Sequence, residues 1–381
     1  MPTKYDVFAE VIEKAPCTES ELNFRTSVTK QLEELQKVKW VKRIGKIYTP
    51  IKSNATTQAL AIITYCLKNN LNHNHFFSKN IPLIITQLYE HTPNRRPEKL
   101  KGNKDILDLL KYFEKNQFIL VSQKRPARGS ILKHKLLTHI ATLFELPIKA
   151  PGFIPLVKKE IIQTLKPVII NPFETSVFSF LAGSAQLEGS TVSDGETRDI
   201  ILNDIYPNKP QKDIQMVKNL NEALHYMIKN LDEQITPEHI KQINKAIMFS
   251  LHRNAGEYKK SENKIQGNPH FKTIHASQVP LAMIEFCKTL NTFTEKEQIL
   301  QNIGFMHNEL QRIHPFADGN SRTTRMVVNW ILAKNHLPLL VFRMGSFDEY
   351  MSLTKMSLKR DDVKLTQFMW AVLWHEELMN K

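Results

Sequence analysis

From about residue 160 to residue 380, apolar residues recur every three or four positions in segment after segment and almost nowhere alternate. A chain patterned in this way buries stripes on helices, not faces of a sheet. Glycine is scarce, 12 among 381 residues. The spacing predicts helices over Glu160–Lys166, Thr175–Leu187, Gln211–Asn230, Pro237–Ser250, Ala282–Leu290, Lys296–Ile313, Arg322–Lys334, Asp348–Ser357 and Val363–Met379. One short hairpin fits between Lys264 and His275. The fold class expected is therefore mainly α.

The rest of the composition narrows the class of protein. A length of 381 residues accommodates two or three domains. With 41% hydrophobic and 24% charged residues, the chain is neither disordered nor collagen-like. No apolar run reaches the ~18 residues of a membrane span, so no membrane partner is expected. The opening MPTKYDVFAE is too polar for a secretory signal. Cys17, Cys66 and Cys287 are odd in number and scattered, which fits neither a disulfide framework nor a zinc site. The cytoplasm is the compartment expected, with association with the nucleoid or export to a host nucleus as variants. Charge is unevenly spread. Residues 1–150 hold 25 Lys/Arg against 13 Asp/Glu, while residues 151–381 hold 27 against 25. A localised basic excess is the footprint of a phosphate-rich partner.

Three parts are expected: 1–52, 53–150 and 151–381. In the first, Val7, Phe8, Val11 and Ile12 give a helix that Pro16 ends. Thr18 and Glu21 have capping-box spacing. A third helix is expected from about Arg25 to Lys37, and a hairpin around Gly45 over Trp40–Tyr48. Three short helices and a basic hairpin resemble a winged helix-turn-helix. That resemblance puts Arg25, Thr26, Ser27, Thr29 and Lys30 on duplex DNA and Lys42, Arg43 and Lys46 on the wing. It also carries the expectation of a homodimer. The second part is mostly helical, over Gln58–Lys68, Ile81–Glu90 and Lys104–Phe118. Its basic stretch Lys124, Arg125, Arg128, Lys133 and Lys135 is a second wing or a solvated loop. Leu146–Gly152, dense in Pro and Gly, marks the boundary.

The chemistry concentrates in His314-Pro315-Phe316-Ala317-Asp318-Gly319-Asn320-Ser321-Arg322-Thr323-Thr324-Arg325. A helix ends at Ile313, Pro315 forces a loop, Asp318-Gly319-Asn320 is turn chemistry, and Arg322 opens a new helix. Such a helix start offers free N–H groups to phosphate. Gly319 lets the backbone approach a ligand closely. Arg322 and Arg325, three apart, can converge on one polyphosphate. Asp318 can hold Mg²⁺, and His314 suits general-base work.

This stretch resembles the signature of the Fic family, H-P-F-x-[D/E]-G-N-[G/K]-R-x-x-R, from which only Ser321 departs. The resemblance covers about residues 165–378 and implies a Fic-type helical core with a small β-hairpin flap. Ser184-Ala185-Gln186-Leu187-Glu188-Gly189 resembles the family's inhibitory motif on a helix of about 175–190. Ser184, Glu188 and Gly189 carry that match, and the family's inhibitory glutamate reaches the second motif arginine, here Arg325. Ala255-Gly256-Glu257-Tyr258-Lys259 is similar to the family's G-x-[FY]-R element, with Lys259 in place of Arg. The flap that follows would lay Lys264, Ile265, Gln266 and Gly267 along a target segment. His307 also matches a family position and reads best as a core histidine.

The resemblance implies a protein adenylyltransferase that uses ATP and Mg²⁺. On that reading His314 takes the proton of a Ser, Thr or Tyr hydroxyl on a target protein. Asp318 holds Mg²⁺, and Gly319, Asn320 and Ser321 form the anion hole. Arg322 and Arg325 bind the β- and γ-phosphates. The basic N-terminal part would direct the enzyme to DNA-associated proteins. Alternative readings are a DNA-binding regulator with a nucleotide-sensing Fic core, and an enzyme that removes AMP.

Overall fold

The computed structural model describes residues 1–91, 100, 102–125, 127–147, 157–263 and 268–380. Among them the chain is mainly helical, with two antiparallel hairpins. It divides into two compact units. Of the described residues, 1–91, 100–111 and 133–147 form one unit; 112–132 and 157–380 form the other.

The first unit starts with α1 (Lys4–Lys14), whose Thr3 and Asp6 make a reciprocal capping box. A single 3-10 turn, Glu19–Glu21, is capped by Thr18 and Glu21 as the spacing predicted. The third helix, α2 (Thr29–Lys37), begins four residues later than expected. The cause is Glu19. Its carboxylate accepts from the Ser27 and Thr29 hydroxyls and from the Val28 N–H at 2.8–2.9 Å. These bonds hold the chain in a non-helical bend before Thr29. Arg25, Thr26 and Ser27 therefore lie off the helix, and the Ser27 and Thr29 hydroxyls are engaged within the protein.

Strands β1 (Val41–Ile44) and β2 (Ile47–Pro50) pair in the register Val41↔Pro50, with Lys42, Arg43 and Lys46 exposed. Val7, Phe8, Val11, Leu32, Leu35, Val41 and Tyr48 are buried in this unit. Helices α3 (Asn54–Lys68), α4 (His73–Phe76) and α5 (Ile81–His91) follow. Next comes α6 (Lys104–Lys115), which the division into units cuts after residue 111.

The second unit takes in the hairpin β3 (Ile119–Gln123) and β4 (Arg128–Ile131), with a bulge between Val121 and Gln123. Lys124, Arg125 and Arg128 stand exposed at its turn. The chain then returns to the first unit through α7 (Lys135–Leu143). The second unit continues with α8 (Lys159–Ile162), α9 (Thr175–Gln186), α10 (Asp194–Asn203), α11 (Gln211–Lys229), α12 (Pro237–Met248) and α13 (Val279–Leu290). It ends with α14 (Lys296–Ile313), α15 (Asn320–Lys334), α16 (Phe347–Leu353) and α17 (Asp362–Met379). Helices α4, α7 and α10 were not anticipated, since each is short or weakly periodic. Of the expected hairpin, residues 264–267 lie outside the described residues. Residues 268–275 form no strand, because Asn268 turns them by capping His270 N–H and donating to the Lys355 and Ser357 carbonyls.

Helix α14 packs on α13, α15 and α17, and α12 on α11 and α15. Trp330 of α15 is wholly buried in that core. The hairpin is sewn to the unit by buried polar side chains. Gln117 donates to the Val341 carbonyl and to Glu376 at 2.9 Å each, and accepts from the Arg343 N–H and the Ser346 hydroxyl. His375 Nδ1 accepts from Val121 N–H at 2.9 Å. Residues 341–346, held by Gln117, bear in turn on α9. Arg343 donates to Ser179 and pairs with Asp194 and Glu376. A Cβ on Gly183 would overlap the Phe342 carbonyl oxygen, so only glycine allows α9 to lie this close.

Two outcomes are expected. Gln117→Ala strands several buried partners and costs about 1–3 kcal/mol, which the urea midpoint will register. His307, His314 and His375 are all buried, and burial is the largest cause pushing them down, to about 3, about 4 and about 4. They stay neutral in the native state while the unfolded chain protonates near pH 6.5. Stability from this source is complete above that pH and is lost as pH falls toward 4, with about three protons taken up on unfolding at pH 5. Urea unfolding at pH 7, 6 and 5 checks it; a flat profile would refute it.

Candidate active site

Helix α14 ends at Ile313, and His314 follows in the left-handed region, with φ 48° and ψ 59°. Few residues other than glycine adopt this conformation, so the turn itself is a specific feature. It leaves the imidazole buried, with Nδ1 3.3 Å from the Gln311 carbonyl. With Nδ1–H donating there, Nε2 carries the lone pair. Burial pushes His314 down to about 4, aided by the cations Lys259 and Lys355 and opposed by the Gln311 contact and Asp318. At neutral pH it is an uncharged base.

The loop after it is fixed from three sides. Asn320 uses its side chain on both backbone groups of Phe316, accepting from the N–H at 2.9 Å and donating to the carbonyl at 2.8 Å. Tyr258 forms an antiparallel bridge with Phe316, and Lys259 N–H donates to the Pro315 carbonyl at 2.8 Å. Lys259 is buried, its ammonium donating to Thr273, and burial holds it below the ordinary lysine range. Asn244 of α12, also buried, donates to the Asp318 carbonyl and Thr323 hydroxyl at 3.1 Å and accepts from Gly256 N–H at 3.0 Å. Gly319 has φ 79°, and a Cβ there would lie 2.6 Å from Met248 Sδ. Glycine is required on both counts. The Asp318 side chain is more than half exposed, with Oδ1 accepting from Gly319 N–H at 2.6 Å. Ser321 sits half-buried in the first turn of α15.

The two arginines of α15 differ. Arg322 is buried, with Nη2 3.6 Å from Asp318 Oδ1, and its Nε and Nη1 have no hydrogen-bond partner among the described residues. Burying unmatched donors costs about 1–3 kcal/mol, and an anion in front of them would recover it. Arg325 is equally buried and well matched. Its Nε donates to Ser184 Oγ at 3.0 Å, and its Nη2 to the Ser184 carbonyl and to Glu188 Oε1, both at 2.9 Å. Burial would raise the Glu188 carboxyl, but Arg325, Lys355 and Arg322 outweigh it and hold the group ionised, below the usual range. Gly189 follows with φ 93°, turning the chain away.

His314, Asp318, Gly319, Asn320, Arg322 and Arg325 thus lie on one loop and helix start, with Ser184 and Glu188 brought against Arg325. Lys264, Ile265, Gln266 and Gly267 lie outside the described residues. His307 is a core residue as expected, 1% exposed. Sequence reasoning missed Asn244. Asn244 had a signal: it interrupts the apolar stripe Ile240, Ile243, Ile247 of α12, where a polar residue needs a buried partner. Among the described residues no group of three His, Cys, Asp or Glu could hold a metal ion.

Comparison with known proteins agrees with this geometry. The model of the Fic/DOC family matches residues 234–332. The protein adenylyltransferase Fic of Nematostella vectensis is 29% identical over 186 residues, which cover 45% of this chain and 41% of that protein. The protein adenylyltransferase fic-1 of Caenorhabditis elegans is 24% identical over 181 residues, 45% of this chain and 35% of that protein. The chain therefore spans well under half the length of these curated relatives. Among solved structures, a Fic domain containing signaling protein from Bacteroides thetaiotaomicron is 22% identical with a TM-score of 0.48, over 58% of this chain and 92% of that one. The stretch that the Fic/DOC family model matches, residues 234–332, contains His314, Asp318, Arg322 and Arg325.

Proposed function

We propose that this chain transfers AMP from ATP to a hydroxyl of a protein target and that Glu188 holds it inhibited at rest. The observation that carries the reading is the pair of buried arginines three residues apart. One has unmatched donors at the loop and the other is occupied by a carboxylate. The naming of both relatives as protein adenylyltransferases supports it.

His314 Nε2 takes the proton of the target's Ser, Thr or Tyr hydroxyl as its oxygen attacks the α-phosphorus. The bond from that phosphorus to the bridging oxygen breaks, and pyrophosphate leaves. The backbone N–H groups of Asn320 and Ser321 at the helix start receive developing phosphate charge. Arg322 and Arg325 bind the β- and γ-phosphates. Asp318, a single exposed carboxylate, fits Mg²⁺ only as a magnesium-phosphate complex is usually held, through one carboxylate and substrate oxygens; the ion would offset phosphate charge. Occupation of Arg325 by Glu188 removes the γ-phosphate site and sets a negative charge where that phosphate must lie.

The first unit we assign to duplex DNA, where it would bring the enzyme, as a homodimer, to DNA-associated targets. Its exposed cations Lys30, Lys42, Arg43 and Lys46 support this. Arg25 and Thr26 are exposed just before α2 and belong to the same surface, while the Ser27 and Thr29 hydroxyls are engaged by Glu19. Binding should weaken steeply with salt.

The test is transfer of label from α-³²P-ATP with Mg²⁺. Glu188→Gly should raise self-labelling about tenfold or more, the least expected from freeing a charge-assisted hydrogen bond. His314→Ala should abolish labelling. Equal labelling of wild type and Glu188→Gly refutes inhibition; label surviving in His314→Ala removes it as the base. With His314 near pKa 4, the rate should be nearly flat from about pH 6 to 8.

A further inference from the structure

We propose that Arg343 is a positioning residue for the inhibitory segment: it grips the chain on both sides of Glu188 and so holds that carboxylate on Arg325. The proposal rests on the reading of Glu188 as an inhibitor and adds what keeps it in place. Glu188 lies in the turn between α9 and α10. Ser179 precedes it on α9, and Asp194 follows it as the first residue of α10. Arg343 Nη1 donates to both, to Ser179 Oγ at 3.1 Å and to Asp194 Oδ2 at 2.9 Å. The Ser179 hydroxyl in turn donates to Asp194. The two legs of the inhibitory segment therefore meet at one nitrogen.

The other edge of the guanidinium is fixed elsewhere. Nε and Nη2 donate to the two oxygens of Glu376 on α17, at 3.0 and 3.1 Å. A planar fork held bidentately has one orientation, and that orientation decides where Nη1 points. The backbone is fixed as well. Arg343 N–H donates to Gln117 Oε1 at 2.9 Å, and Gly345 N–H to the Asn116 carbonyl at 2.7 Å. Arg343 is thus a fixed point to which α9 and α10 are tied, not a surface cation that follows them.

Apolar packing does not supply this placement. Helix α9 is buried from Val177 through Ala185. Apolar contact is non-directional, however, and a helix among aliphatic neighbours can slide or turn with little change in buried area. The Glu188–Arg325 contact at 2.9 Å tolerates only a fraction of an ångström of such drift. Gly183, against the Phe342 carbonyl, has no side chain to resist it. Arg343, the next residue after Phe342, provides the directional hold. The bond from Thr191 N–H to Asp213 at 2.8 Å ties the turn beyond Glu188 to α11, not α9 itself.

The experiment measures self-labelling from α-³²P-ATP with Mg²⁺ by the full chain, in the wild-type and Glu188→Gly backgrounds. Arg343→Lys keeps the charge but not the two-edged fork, and Asp194→Asn weakens one leg. Each should raise labelling about threefold to tenfold where Glu188 is present, as loss of a charge-assisted hydrogen bond would. Each should change it by less than about twofold in Glu188→Gly, where no carboxylate is left to misplace. A merely structural role would lower labelling in both backgrounds. Unchanged or lowered labelling in either variant, with Glu188→Gly still activated, overturns the proposal and leaves inhibition standing. A rise of equal size in both backgrounds also overturns it. Should Arg343→Lys fail to fold, the near-isosteric Ser179→Ala takes its place under the same criteria. Equal labelling of wild type and Glu188→Gly overturns the inhibitory reading and this proposal with it, which separates the two failures.

Discussion

A guanidinium buried in the second unit sets the conditions that the surrounding structure meets. Arg325 cannot lose its charge, so each of its donors must face an acceptor or water. Around it the chain places a serine hydroxyl, a serine carbonyl and a glutamate. The close approach of α9 needed for these depends on Gly183 having no side chain. The polar clasp of Gln117 and Arg343 then braces the stretch against which Gly183 lies. Removing a partner of a buried charge is far more costly than removing a surface ion pair. That difference makes the Glu188 contact costly to break.

Much of the site was legible because it is continuous in sequence. A helix end, a proline, a turn and a helix start in twelve residues leave few geometries, and His314, Gly319 and Asn320 occupy the places those constraints require. Helices α9, α11, α12, α14 and α17 were legible from periodicity alone. What failed was what depends on contact between distant residues. Nothing local announces that Glu19 will bind Ser27 and Thr29 and delay α2, since Arg25–Lys37 has acceptable helical spacing. Likewise the hairpin at 119–131 sits in a basic stretch that reads as surface. Only Gln117 and His375, more than 250 residues apart, reveal that one side of it is core.

The charge asymmetry also takes a more definite form. Lysines and arginines dominate residues 1–150, yet the acidic side chains there are not idle. Glu19 shapes the bend before α2, and Asp6 caps α1 and reaches His73 at 2.8 Å. Both carboxyls are held below their usual range: burial opposes this, and hydrogen bonds from Ser27 and Thr29 to Glu19, and from Thr3 to Asp6, prevail. Acidic groups thus serve the fold, while cations such as Lys30, Lys42 and Lys46 remain exposed.

The unequal state of the two arginines bears on which ligands the resting site admits. Arg322 has donors without partners, so a phosphate near the loop gains a charge-assisted contact at no cost in broken bonds. Arg325 offers nothing until Glu188 moves, and until then a phosphate beside it meets a carboxylate. On the proposed reading, the site with Glu188 on Arg325 discriminates by the length of the phosphate chain. A short anion can enter and hold Arg322, while a triphosphate must displace an ionised, buried carboxylate. Glu188 lies near Arg325, Lys355 and Arg322 together, so displacing it unbalances several cations at once. An incoming triphosphate can restore that balance, because it supplies the negative charge that Glu188 withdraws. On the proposed reading, Glu188 and a triphosphate are two anions competing for one cluster of cations, and whatever shifts α9 biases the outcome.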